Sequence, residues 1–131
     1  VIVIDASALV EAVTRSDAGL QVIDRISRAR KAFAPDHVDV ETVSAVHRLA
    51  RADAIDGTTA QLALRSLGRL ALDRLPTALL TARVWALRHN VRIADGFYVA
   101  LAESLEVPLL TCDGRLTRAP GPSCEFELVE R

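Results

Sequence analysis

The chain opens on Val-Ile-Val-Ile followed by Asp5, and this run constrains the fold more than any other stretch. Four consecutive β-branched residues predict a short strand, and their unbroken apolar character predicts burial on both faces. Strands of that kind belong to parallel sheets covered on both sides by helices. The rest of the chain agrees with that reading.

From Ser7 the pattern turns helical, with Leu9, Val10 and Val13 on one side. A second helix follows Asp17, with Leu20, Ile23 and Ile26 at helical spacing and arginines toward its end. Ala32–Ala34 reads as a brief strand closed by Pro35, and Asp36 then offers the cap of a helix running to about Ala52 with a Val43, Val46, Leu49 stripe. Thr58-Thr-Ala-Gln61 has the form of a capping box, opening a helix that ends near Leu72. Leu72–Leu75 is a third strand cut off by Pro76, and Thr77 caps a helix through about His89. Asp95–Leu105 is helical, Pro108–Thr111 a strand, and Phe126–Val129 a last strand. Strands alternate with helices throughout. That pattern predicts an α/β fold with a central parallel sheet and right-handed crossovers.

At 131 residues the chain has the length of one domain, residues 1–131, with no linker, repeat or low-complexity segment. Half its residues are apolar and a quarter charged, which excludes disorder. Its apolar runs are far shorter than a bilayer span and it shows no secretion signal, so it reads as a cytoplasmic chain with no membrane partner. Two cysteines twelve residues apart do not make a disulfide framework or a zinc site. The net charge of −1 excludes nucleic-acid binding by bulk charge and leaves only a local patch.

Most of the 17 acids fit solvated faces, caps and turns. Four stand apart. Asp5 ends the first strand and Asp113 follows the strand Pro108–Thr111, so both belong at the carboxyl edge of the sheet, where open α/β sheets bind ligands. Asp95 stands at the start of a helix, and Glu41 lies near the start of another. Singly, each has a plainer reading: Asp5 and Asp95 as helix caps, Asp113 as an Asp-Gly turn, Glu41 as a surface residue. Jointly they differ, because two carboxylates about 4 Å apart repel by roughly 4 kcal/mol at an effective dielectric of 20. A fold that gathers several needs a cation, and all-oxygen ligands select Mg²⁺ or Mn²⁺.

These residues carry a resemblance. Val-Ile-Asp5-Ala-Ser7-Ala-Leu, Val-Glu41-Thr-Val-Ser-Ala-Val, Ala-Asp95-Gly-Phe-Tyr-Val-Ala-Leu-Ala-Glu and Leu-Leu-Thr-Cys-Asp113-Gly-Arg-Leu resemble the PIN-domain ribonucleases, and more narrowly the VapC-type toxins of bacterial toxin–antitoxin pairs. The order and spacing of the four segments make the signal specific, and it runs from Val1 to about Val129. It implies a three-layer α/β/α sandwich and a metal-dependent endoribonuclease acting on structured RNA such as tRNA or rRNA. Asp5, Glu41, Asp95 and Asp113 match the family's four catalytic acids. Ser7 matches a polar position beside the first and Thr111 one just before the last. Ser44 departs from the pattern, since many relatives carry Asn there.

The resemblance further implies that Asp5, Asp95 and Asp113 hold Mg²⁺ or Mn²⁺, that Glu41 completes the shell or acts as general base, and that a VapB-type antitoxin is the natural partner. Arg48, Arg51, Arg115 and Arg118 are the candidate RNA contacts, being nearest the four acids in sequence. His37, His47 and His89 read as surface or helix-end residues, and Trp85, Phe97 and Tyr98 as core. Leucines spread widely around the two helices between Thr58 and His89, which predicts leftover apolar surface and a homodimer. Phosphate loops and a serine-hydrolase elbow are absent. The alternative is a PIN-like module that binds RNA or protein without cutting.

Overall fold

Ile2, Val3 and Ile4 are all fully buried, as their unbroken apolar character demands. The computed structural model describes residues Val1–Arg131. Its sheet has five strands, β1 (Ile2–Ile4), β2 (Ala32–Pro35), β3 (Asp73–Leu75), β4 (Leu109–Thr111) and β5 (Phe126–Leu128), in the order β3-β2-β1-β4-β5. Every neighbouring pair is parallel. Seven helices flank it: α1 (Ala6–Thr14), α2 (Asp17–Arg28), α3 (Val38–Arg51), α4 (Gly57–Arg69), α5 (Thr81–Leu87), α6 (Ile93–Leu105) and α7 (Gly114–Thr117). The architecture is the three-layer α/β/α sandwich expected from the sequence.

The topology places one functional edge. The chain runs outward from β1 through β2 to β3, then returns to lay β4 on the other side of β1. The switch point therefore lies between β1 and β4, and ligands of such sheets bind just beyond the carboxyl ends there. Val3 pairs with Leu109 and Ile4 with Leu110, and the Asp5 N–H donates to the Leu110 carbonyl at 3.1 Å. Complete burial of side chains such as Ile2, Ile4, Leu109 and Leu110 contributes about 1.5–3 kcal/mol each. That core holds the two strand ends in fixed register.

Several element starts differ from expectation. α3 begins after a turn at Asp36-His37, so His37 rather than Asp36 occupies the cap position, with no side-chain capping bond. α4 is capped by Asp56, whose carboxylate accepts from the Thr59 N–H at 2.7 Å, two residues earlier than the Thr58 box predicts. The single helix expected from Thr77 is a 3₁₀ turn at Ala78–Leu80 followed by α5, and Thr77 makes no capping bond. α6 starts at Ile93, which puts Asp95 inside the first turn instead of at its cap. The short helix α7, capped by Asp113, stands where a plain Asp-Gly turn is the alternative reading of that residue.

Two apolar faces also differ. α2 buries Ala18, Gly19 and Val22 and leaves Leu20 and Ile23 exposed. The reason is Gly19: a Cβ there would stand 1.9 Å from the Glu11 carbonyl oxygen, so α1 and α2 meet backbone to backbone. α5 buries Val84 and Leu87, with Val84 packed against Gly96 of α6, and Trp85 consequently points outward, 63% exposed. The Arg88 guanidinium stacks over its ring at 4.3 Å. Tyr98 is buried and Phe97 partly so. On α3 the buried positions are Val38, Thr42 and Val46, while Val43 is exposed.

Candidate active site

Asp5 leaves the end of β1 as the N-cap of α1, so its capping role and its place at the sheet edge coincide. Its Oδ1 accepts from the Ala8 N–H at 3.0 Å and the Ser7 hydroxyl at 2.6 Å, and its Oδ2 accepts from the Thr111 hydroxyl. Ser7 Oγ in turn accepts from the Cys112 N–H at 2.9 Å, and Thr111 Oγ1 from the Asp113 N–H at 3.0 Å. Side chains thus stitch the ends of β1 and β4 together. Burial pushes the Asp5 carboxyl up to about 6, against the three hydrogen bonds that favour its charged form, and the Asp95 charge adds to the rise.

The other acids come from three different elements. Glu41 lies in the first turn of α3 and Asp95 in the first turn of α6, where the helix dipole favours a carboxylate. Asp113 caps α7, its Oδ1 accepting from the Arg115 N–H at 2.9 Å. Burial raises the Asp95 carboxyl above its ordinary range. Arg92, 4.0 Å away, opposes this, while Glu41 and Asp113 add to it and His37 again opposes.

All four carboxylates line one cleft of about 470 Å³. Ser7 and Ser44 line it too, while Thr111 lies just beneath, fully buried against Asp5. Of the four candidate RNA contacts only Arg48 lines the cleft. Arg51 is exposed at the end of α3, and Arg115 and Arg118 are exposed on and beside α7. Two arginines not singled out from the sequence take their place, Arg92 and Arg131. Arg131 stands 3.8 Å from Glu11. Arg92 was detectable in principle, being three residues before Asp95, but Arg131 carries no sequence signal.

Sequence reasoning also passed over Tyr98 and His37. Tyr98, three residues after Asp95 on α6, donates its hydroxyl to Glu41 Oε1 at 2.7 Å. His37, four residues before Glu41, places Nε2 3.5 Å from the same oxygen. Both spacings bring side chains to one helix face, which is the signal that was available. His47 and His89 are exposed, as expected.

The donor set is all oxygen and suits a hard divalent cation, and a buried Asp5 facing a second acid gains from one. No three of the chain's His, Cys, Asp or Glu side chains are gathered tightly enough to grip an ion directly. The residues therefore fit a cation that keeps part of its water shell, as Mg²⁺ does.

Residues 2–122 match the family model described as the PIN domain. Over 128 residues the chain is 41% identical to Ribonuclease VapC12 of Mycobacterium tuberculosis, covering 98% of both. Its fold is similar to that of VapC20 from the same organism, a sarcin-ricin loop cleaving toxin (TM-score 0.63, 18% identity, 87% of this chain and 91% of that one). It is also similar to VapBC2 from Rickettsia felis bound to a DNA fragment from their promoter (TM-score 0.67, 14% identity, 96% of each chain). At those identities the two solved structures bear on the fold alone.

Proposed function

This chain belongs to the PIN-domain family, among the VapC ribonucleases, and from that premise we propose that it is a toxin that cuts structured RNA, tRNA or rRNA, with Mg²⁺ or Mn²⁺. The observation that carries the reading is the meeting of Asp5, Glu41, Asp95 and Asp113 on one cleft at the switch point of the sheet. Asp5, Asp95 and Asp113 are the residues that hold the cation, directly or through water. When bound, it lowers the pKa of a water and neutralises charge on the scissile phosphate.

The chain's own groups do the rest. Ser7 and Thr111 fix both oxygens of Asp5, so that acid cannot swing away from the cleft. Glu41 accepts a proton from the attacking water as general base. Arg48 and Arg92 line the cleft beside the acids and suit the flanking phosphates, with Arg131 at the same rim. Arg51, Arg115 and Arg118 lie further out, where an extended RNA backbone would pass.

The same reading gives the free chain a homodimeric state and a VapB-type antitoxin as partner. Leu79 is 93% exposed and Trp85 mostly so, with Leu62 and Leu64 also open on α4. Apolar side chains left in the open like this mark association surfaces.

The test is cleavage of total and purified structured RNA by the chain with Mg²⁺ or Mn²⁺. EDTA abolishes it, and Asp5→Ala or Asp95→Ala removes it while leaving the circular dichroism spectrum intact. Cleavage that persists in EDTA overturns the metal mechanism. A folded chain that binds RNA without cutting it under any divalent metal is instead the inactive binding module. Co-purification with the product of the neighbouring gene tests the antitoxin.

A further inference from the structure

We infer that Tyr98 is a positioning residue that locks Glu41 Oε1 from α6, with the His37 ring at the start of α3 bracing the pair, leaving Oε2 to meet the attacking water; this rests on the reading of Glu41 as the base. A glutamate has three side-chain torsions, so holding its carboxylate in one place costs conformational entropy. Glu41 sits in the first turn of α3, at the edge of an open cleft, where from its own helix only the cap residue His37 approaches the carboxylate.

The confinement comes from across the fold. Tyr98 is 1% exposed, its ring fixed in the core while its hydroxyl reaches the cleft. It donates to Oε1 at 2.7 Å, bridging 57 residues of sequence. Burial and the facing carboxylates of Glu41, Asp5 and Asp95 hold the phenol protonated, so it is always a donor.

His37 braces the pair. Its ring lies against Tyr98, centroids 4.7 Å apart, and meets the edge of Phe97 at 5.3 Å. Its Nε2 donates to the Ala94 carbonyl at 3.0 Å and stands 3.5 Å from Glu41 Oε1. The His37 carbonyl accepts the Glu41 N–H at 3.1 Å. Meanwhile Nδ1 is buried with no partner at all. A lone buried polar atom asks for an explanation. In this orientation the ring keeps its one Nε2 proton on the Ala94 carbonyl while packing against Tyr98 beside Glu41.

Ser44, one turn along α3 from Glu41, lines the cleft, while the bond to Glu41 comes from Tyr98.

The experiment is a double-mutant cycle on RNA cleavage, paired with an NMR measurement that needs no activity. Tyr98→Phe is expected to lower kcat by about tenfold or more, with KM unchanged within about twofold. In a Glu41→Gln background the same change is expected to cost less than about twofold. His37→Gln, whose amide nitrogen reproduces Nε2, is expected to keep activity within about threefold where His37→Ala loses about tenfold. In the spectrum, a slowly exchanging Tyr98 hydroxyl proton close to the Glu41 γ-protons is expected in wild type and lost in Glu41→Ala. Equal losses from Tyr98→Phe in both backgrounds, no loss in either, or absence of that resonance from wild type each overturn the proposal. A wild-type chain that cuts no RNA overturns the base role of Glu41 instead, and the resonance reports the geometry separately.

Discussion

Thr111 donates its hydroxyl to Asp5 across 106 residues of sequence, joining the ends of the two central strands through side chains as well as backbone. Both residues are buried, so neither can turn to water when the other is altered. Thr111→Val keeps the shape and removes the donor. It is expected to cost about 1–3 kcal/mol, because Asp5 Oδ2 is left without a partner. Urea unfolding measures this, and an unchanged midpoint contradicts it.

Asp5 supplies a pH dependence whose sign is opposite to that of most carboxylates. Its folded value of about 6 lies above the ordinary 3.8, so the native state holds a proton that the unfolded chain releases. Without metal, its contribution is full below about pH 3.8 and is lost as pH rises through 6, a change of order 3 kcal/mol. Asp5→Asn removes that dependence. In EDTA the variant is expected to gain stability over wild type between pH 4 and 7, and with Mg²⁺ present it is expected to lose RNA cleavage. A variant less stable than wild type at pH 7 overturns the expectation.

Gly19 is expected to tolerate no side chain. The added carbon of Gly19→Ala meets the Glu11 carbonyl, a backbone atom that cannot step aside without separating α1 from α2. A loss of about 1–3 kcal/mol is expected, seen as a lower melting temperature, although alanine is the better helix former.

Leu79 and Trp85 test the association surface. Both side chains are mostly exposed, and the Arg88 guanidinium stacks over the Trp85 ring. Changing both to serine is expected to alter folding stability by less than about 1 kcal/mol. Light scattering is expected to show a dimer for wild type and a monomer for the double variant. A wild-type monomer at tens of micromolar ends the homodimer proposal.

The sheet was legible because burial on both faces writes itself into β1 as an unbroken β-branched run. The four acids were legible because two stand directly after strands and two in first turns, positions that the α/β plan points at one edge. The faces of α2 and α5 were not. A periodic stripe such as Leu20, Ile23, Ile26 indicates which face is apolar, but backbone contact at Gly19 decides which face is buried. Trp85 misled for a related reason, since the smaller Val84 fits against Gly96 and takes the inward position. Tyr98 read correctly as core, yet its hydroxyl end belongs to the cleft, and only the meeting of α6 with α3 reveals that.

The sheet order has a consequence for synthesis. β1 leaves the ribosome before its neighbour β4, which follows more than a hundred residues later with Asp113 just behind it. At about 5–20 residues per second, the interval between the two strands is roughly 5–20 s. Until then the nascent chain gains Glu41 and Asp95 on the way but lacks the strand that fixes Asp5, along with Thr111 and Asp113. Until β4 and Asp113 arrive, the edge of the sheet that gathers the four acids stays unformed.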